Sequence, residues 1–192
     1  MLNKRFFVIL GIILSAAAMR LVPHPPNMTP IAAMALFGGA YFANKRMALL
    51  IPLAAMYLSD LVLGLFVYDF GFFHGFMPFV YAGFVMTVCL GFLLRRRLTP
   101  LMVGGGALTG SVMFFIVTNF GVWLVGNLYP KTLAGLAGCY VAAIPFFSNT
   151  LAGNVVYTLV LFGGFALAQR YLPVLRGEPV AMPAHVSLKQ NR

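Results

Sequence analysis

Of the chain's 192 residues, 61% are hydrophobic and 8% charged, and 13 Lys and Arg against 3 Asp and Glu give a net charge of +10. A mean hydropathy of +0.94, with apolar residues in blocks long enough to cross a bilayer, excludes an ordinary soluble domain. The basic residues sit between those blocks instead of forming a patch, so they exclude a nucleic-acid partner and report membrane topology.

The blocks predict six spans, at about 6–22, 30–44, 47–67, 77–94, 105–126 and 147–169. The fold class read from them is an all-α integral membrane protein with six transmembrane helices. One membrane domain covers 1–172, and 173–192, with Pro179 and Pro183 and little apolar periodicity, reads as a disordered cytoplasmic tail. The first block, Phe6 to Ala18, has the outline of a cleavable signal with Ala16-Ala17-Ala18 as its small-residue site. Five further apolar blocks favour a retained helix instead. The second span is short for a core of roughly 30 Å and must lean on its neighbours.

Between the first two spans lies Arg20-Leu-Val-Pro-His24-Pro-Pro-Asn27-Met-Thr29-Pro30. Its four prolines remove backbone donors and fix φ, which predicts a stiff extended loop, and Thr29-Pro30 reads as an N-cap followed by proline at the first helical position. With the amino end inside, eleven basic residues fall on the cytoplasmic side and only Arg20 and Lys131 outside. The positive-inside rule therefore puts both termini in the cytoplasm. The segment from Thr132 to Phe147 ends near Pro145 and reads as an outer interfacial or re-entrant helix, since a seventh span would put the basic tail outside.

This orientation gathers the polar residues at one depth. Asp60 lies about 20 Å along the third span, in its outer third. Tyr81, Thr118, Asn119, Trp123, Ser148, Asn149 and Asn154 also fall in outer halves, while the inner halves are mostly Leu, Val, Phe, Ala and Gly. A carboxylate at membrane depth needs a partner, and Arg20 is the nearest candidate, so an Asp60–Arg20 clamp and a polar pocket wall are both open readings. Asn119, Asn149 and Asn154 offer paired donors and acceptors, with Trp123, Tyr81 and Tyr140 as stacking surfaces; interhelical glue is the bland alternative.

His74 sits among aromatics in the loop before the fourth span, where imidazole can bind a transition metal while Asp69 or a carbonyl orients the other nitrogen. His24, between prolines, is a loop-ordering group or a ligand. Cys139 beside Tyr140 is a weaker soft-ligand candidate, and Cys89 a core filler at a different depth, so no disulfide is expected. Gly104-Gly-Gly106 lacks the Lys-Ser/Thr of a nucleotide loop, and no Ser-His-Asp or HExxH spacing occurs.

Arg20-Leu-Val-Pro-His-Pro-Pro-Asn-Met-Thr-Pro-Ile, Ser59-Asp60, Phe79-Val-Tyr81, Thr118-Asn119-Phe and Cys139-Tyr-Val-Ala-Ala-Ile-Pro-Phe-Phe147 together resemble an S component of the energy-coupling-factor (ECF) vitamin transporters. Over roughly residues 5–170 the chain is most similar to the solitary cobalamin-specific type of Gram-negative bacteria (the BtuM type). The resemblance implies a multi-pass protein of the bacterial inner membrane that binds a vitamin, cobalamin or a related corrinoid, from outside and topples to release it inward. It implies no intrinsic cofactor, since cobalamin is the cargo. The cobalamin members carry an axial cysteine ligand after the third span; this chain has His74 in the comparable loop. A coupling subunit with its ATPases is an implied partner, although the usual Ala-xxx-Ala docking pattern appears only as Gly11-xxx-Ser15.

The sequence thus leads to a substrate-binding membrane subunit with Arg20, His24, Asn27, Asp60, His74, Tyr81, Asn119, Trp123, Tyr140, Asn149 and Asn154 around its substrate and His74 or Cys139 on cobalt. The alternative is an intramembrane enzyme using Asp60 or His74 as acid or base. A purely structural membrane partner would instead pair its outer polar residues with one another and leave no cavity.

Overall fold

The computed structural model describes residues 3–67 and 75–176, and among them every regular element is helical. The helices are α1 (Lys4–Met19), α2 (Ile31–Tyr41), α3 (Lys45–Phe66), α4 (Met77–Leu94), α5 (Pro100–Val125), α6 (Leu133–Thr158) and α7 (Gly164–Tyr171). Helices α3, α4, α5 and the joined rod Leu133–Tyr171 are long and apolar enough to cross a membrane. Of the six expected spans, the first and second correspond to shorter helices, α1 with 16 residues and α2 with 11. At 1.5 Å per residue α2 covers about 16 Å, half of a bilayer core.

Helix α2 is the hub. Ten of its 11 residues, Ala32 to Tyr41, are buried, and it packs on α1, α3, α4, α5 and α6. A helix apolar on every face has to be enclosed on every face, which is how so short an apolar segment is kept. Its closest neighbour is α4. A Cβ on Gly39 would meet the Val88 carbonyl oxygen at 2.2 Å, and one on Gly91 the Leu36 carbonyl oxygen at 2.5 Å, so the two backbones touch where glycine faces glycine. Below this crossing Phe37, Tyr41, Phe162 and Phe165 form an aromatic cluster with ring centroids 4.6 to 5.6 Å apart.

Two expectations are corrected. The segment from Thr132 to Phe147 is not a separate interfacial or re-entrant helix: Thr132 caps α6 through the Gly135 amide, and the helix runs through Pro145 without a break. Proline costs one backbone bond, and membrane helices tolerate that loss where hydroxyls and small adjustments re-satisfy the turn. Here the acceptor left over is the Val141 carbonyl, one turn before Pro145. A π turn, Leu159–Gly163, then joins α6 to α7, giving a rod of 39 residues or about 58 Å. The ordered chain also runs past 172, where the tail was expected to begin. Pro173–Leu175 form a 3-10 turn that packs on α1 with Leu175 buried. The rest of that tail lies outside the described residues.

Candidate functional site

The prolines of the segment after α1 act as expected, stopping helix formation between Met19 and Ile31. The loop turns at Asn27, whose φ of 64° is a left-handed conformation that asparagine tolerates better than most residues. It is latched to α6 in two ways. Asn149 Nδ2 donates to the Pro26 carbonyl at 3.1 Å, and Gly153 lets the Met28 backbone approach so closely that a Cβ there would lie 3.0 Å from it. Thr29 does not cap α2 as expected. Pro30 holds the N-cap position with no side-chain bond, so the first amides of α2 have no capping side chain.

Beneath this loop is a cavity of about 790 Å³. Four helices wall it with residues at helical spacing: Met56, Asp60 and Leu63 on α3; Met77 and Val80 on α4; Phe115, Thr118, Asn119 and Val122 on α5; Ala143, Phe147, Thr150 and Asn154 on α6. The loop supplies Arg20, His24, Asn27 and Thr29, and α2 begins in the floor with Ile31 and Ala32. The size falls within the range of small-molecule sites, and the lining follows their usual make-up of apolar and aromatic walls with few polar groups.

Arg20 and Asp60 meet at the inner edge of the loop. Arg20 Nη2 donates to Asp60 Oδ1 at 2.5 Å, and Nη1 to the Met56 carbonyl at 3.2 Å and to Ser59 Oγ. Tyr81 donates to the other carboxylate oxygen at 2.8 Å. Both oxygens of Asp60 are therefore occupied, and the clamp and the pocket wall are one structure.

The three asparagines have three different uses. Asn154, 1% exposed, donates from Nδ2 to the Ala107 carbonyl and to Ser111 Oγ, each at 2.7 Å, and accepts from Thr158 at 3.3 Å. It joins α5 to α6 in the cavity floor. Asn149 holds the loop and does not line the cavity. Asn119 lines the cavity, donates to its own helix at Phe115, and among the described residues has no partner for Oδ1. His24 also lines it, and its Nδ1 lies 2.6 Å from the Val22 carbonyl. A carbonyl only accepts, so Nδ1 carries the hydrogen, and in the tautomer with one ring hydrogen the lone pair is on Nε2.

Other expected site residues lie elsewhere. Trp123 Nε1 donates to the Pro130 carbonyl at 2.9 Å, and Lys131 donates to the carbonyls of Trp123 and Gly126, so this group closes the end of α5. Tyr140 donates to the Ile116 carbonyl at 2.8 Å, tying α6 to α5 away from the cavity. Cys139 is buried with its thiol 3.5 Å from the Asn119 carbonyl and does not face the cavity. His74 lies outside the described residues. Among the described residues no group of three His, Cys, Asp or Glu could hold a metal ion. Sequence reasoning missed Phe114, Phe115, Phe146 and Phe147, which form much of the apolar wall; their spacing with Thr118 and Thr150 was the available signal.

A protein-family model matches residues 1–175. The chain belongs to the family of unknown function DUF6580. No curated protein and no solved structure matches this DUF6580 chain. The cavity's chemistry is therefore the ground for a functional reading.

Proposed function

We propose that the protein is a substrate-binding membrane subunit that takes a ring-bearing vitamin from the outer side of the bacterial inner membrane, in the manner of an ECF S component. The observation that carries this reading is the cavity of about 790 Å³, roofed by the proline loop and walled by residues of α3, α4, α5 and α6. Phe76, Phe114, Phe115, Phe146 and Phe147 give flat apolar surfaces for a ring system, and His24, Asn119 and the first amides of α2 give polar groups to orient it.

The orientation with both ends inside is part of the proposal. Support comes from Lys4, Arg5, Lys45, Arg46, Arg95, Arg96, Arg97 and Arg170, which bound the helices at the ends opposite the loop and cavity. Six spans follow if α1 and α2 each complete a crossing with their flanking segments. Binding needs no covalent chemistry: a solute held more tightly by the loop-closed state than by the inward state is carried by that difference alone.

Cobalamin or a related corrinoid is the cargo we favour, with an imidazole as the axial cobalt ligand. His74 is one candidate and His24 the other, its Nε2 lone pair being available in the neutral ring. An ECF coupling subunit is the partner we favour, docking on α1, where nothing lies within 4 Å of a Cβ at Gly11. The test is absorption spectroscopy of protein purified from cells supplied with cobalamin. A bound corrinoid whose axial-ligand band is altered in His24→Ala or His74→Ala supports the reading, and protein without corrinoid at saturating supply overturns it.

A further inference from the structure

At the end of the bundle away from the cavity, the C-terminus of α2 is ringed by cations with unused donors. Arg95 reaches back from the end of α4, donating from Nε to the Gly39 carbonyl at 2.8 Å and from Nη1 to the Ala43 carbonyl at 3.2 Å. Its Nη2 is buried and has no partner. Arg5 approaches from α1, which packs beside α2 there with the Phe6 and Phe42 rings 5.5 Å apart, and its Nε is likewise buried and unpartnered. Lys45 and Arg95 both lie over the Phe92 ring, at 5.8 and 4.6 Å from its centroid.

Two guanidinium nitrogens that are buried and unmet are costly unless an acceptor reaches them, although the side chains that carry them are only partly buried. Burial holds the Arg95 guanidinium below its ordinary pKa. The carbonyls at the end of α2 account for Nε and Nη1 of Arg95 and leave Nη2 over. Among the described residues no acidic side chain meets these donors. Among the described residues Asp60 is the one carboxylate side chain, about 22 Å away along α3 and committed to Arg20.

We propose that Arg5 and Arg95, with Lys45 beside them, hold the phosphate of an anionic phospholipid. The guanidinium fork fits phosphate oxygens, and the cluster sits at a helix boundary where lipid headgroups lie. Met47, Leu50 and Leu93, all exposed within two turns of these cations, give acyl chains an apolar wall that free phosphate would not use. This inference does not depend on the cargo.

Native mass spectrometry of the full chain, with equimolar dioleoyl phosphatidylglycerol and dioleoyl phosphatidylcholine, tests it. The expected result is preferential retention of phosphatidylglycerol, falling about fivefold for each of Arg5→Gln and Arg95→Gln. Arg96→Gln and Arg97→Gln, each removing the same single charge from an exposed position, are expected to reduce retention less. Equal retention of the two lipids, or equal losses in the two pairs of variants, overturns the site. Displacement of phosphatidylglycerol by millimolar inorganic phosphate assigns the donors to free phosphate and overturns the lipid. The competition is read on the unsubstituted chain, so it decides the matter even where a variant fails to fold.

Discussion

Arg20 and Asp60, 40 residues apart in the chain, form an ion pair of 2.5 Å with side chains 8% and 9% exposed. At that burial, breaking the pair costs more than forming it gains, because the surviving charge is left desolvated. Asp60→Asn is expected to destabilise the protein by about 3–5 kcal/mol. Replacing both residues at once, Arg20→Met with Asp60→Leu, is expected to cost less than either change alone. Thermal unfolding in detergent across the four chains checks this; losses that simply add would mean the two side chains are uncoupled.

The crossing of α2 and α4 gives a second prediction. A methyl at Gly39 or Gly91 collides with backbone, at 2.2 Å from the Val88 oxygen or 2.5 Å from the Leu36 oxygen, and backbone cannot turn aside as a side chain can. Gly39→Ala and Gly91→Ala are each expected to cost about 3 kcal/mol. Gly104→Ala and Gly163→Ala meet nothing within 4 Å and are expected to be neutral or slightly stabilising. Chemical unfolding of the four variants separates the two groups.

Scarcity made the site partly legible. In a chain with so few charges, one acid at membrane depth announces a partner, and Arg20 was the nearest choice in the topology. The four prolines before Ile31 announced the loop as plainly. What sequence could not assign was the use of each asparagine, since depth says which residues share a level and not which face they present. Asn119 and Asn154 line the cavity while Asn149 holds its roof, a distinction set by helix rotation. Pro145 misled for another reason: in water it would end a helix, but in an apolar setting an interrupted helix has no solvent to satisfy its exposed backbone, so the rod continues.

That division of labour is measurable. Asn154→Ala removes two bonds between α5 and α6 and leaves Ser111 short of a partner, so a stability loss of about 1–2 kcal/mol is expected. Asn119→Ala removes one bond within its own helix and the free Oδ1 on the cavity, so stability is expected to change by less than about 0.5 kcal/mol while affinity for the proposed cargo falls. Unfolding and cobalamin titration of both variants check the split. The opposite pattern would make Asn154 the contact with substrate and Asn119 the glue.

The roof yields the last prediction. The loop is tied to α6 by the Asn149–Pro26 bond at 3.1 Å and by the approach of Met28 to Gly153, and prolines keep the loop stiff. Such a loop opens as a body, so removing a tie at one end should free the whole of it. Asn149→Ala is expected to cost the closed state about 1 kcal/mol, and hydrogen exchange at the Met28 amide, which donates to the Pro25 carbonyl at 3.0 Å, should quicken about fivefold. Gly153→Ala, which pushes on the Met28 backbone from 3.0 Å, should quicken it at least as much. Thr150→Ala serves as the control, because Thr150 bonds only to Phe146 of its own helix. Because exchange is read without any solute present, unchanged rates in both variants would mean that the loop is held by something other than α6, and the roof could not then be released from that side.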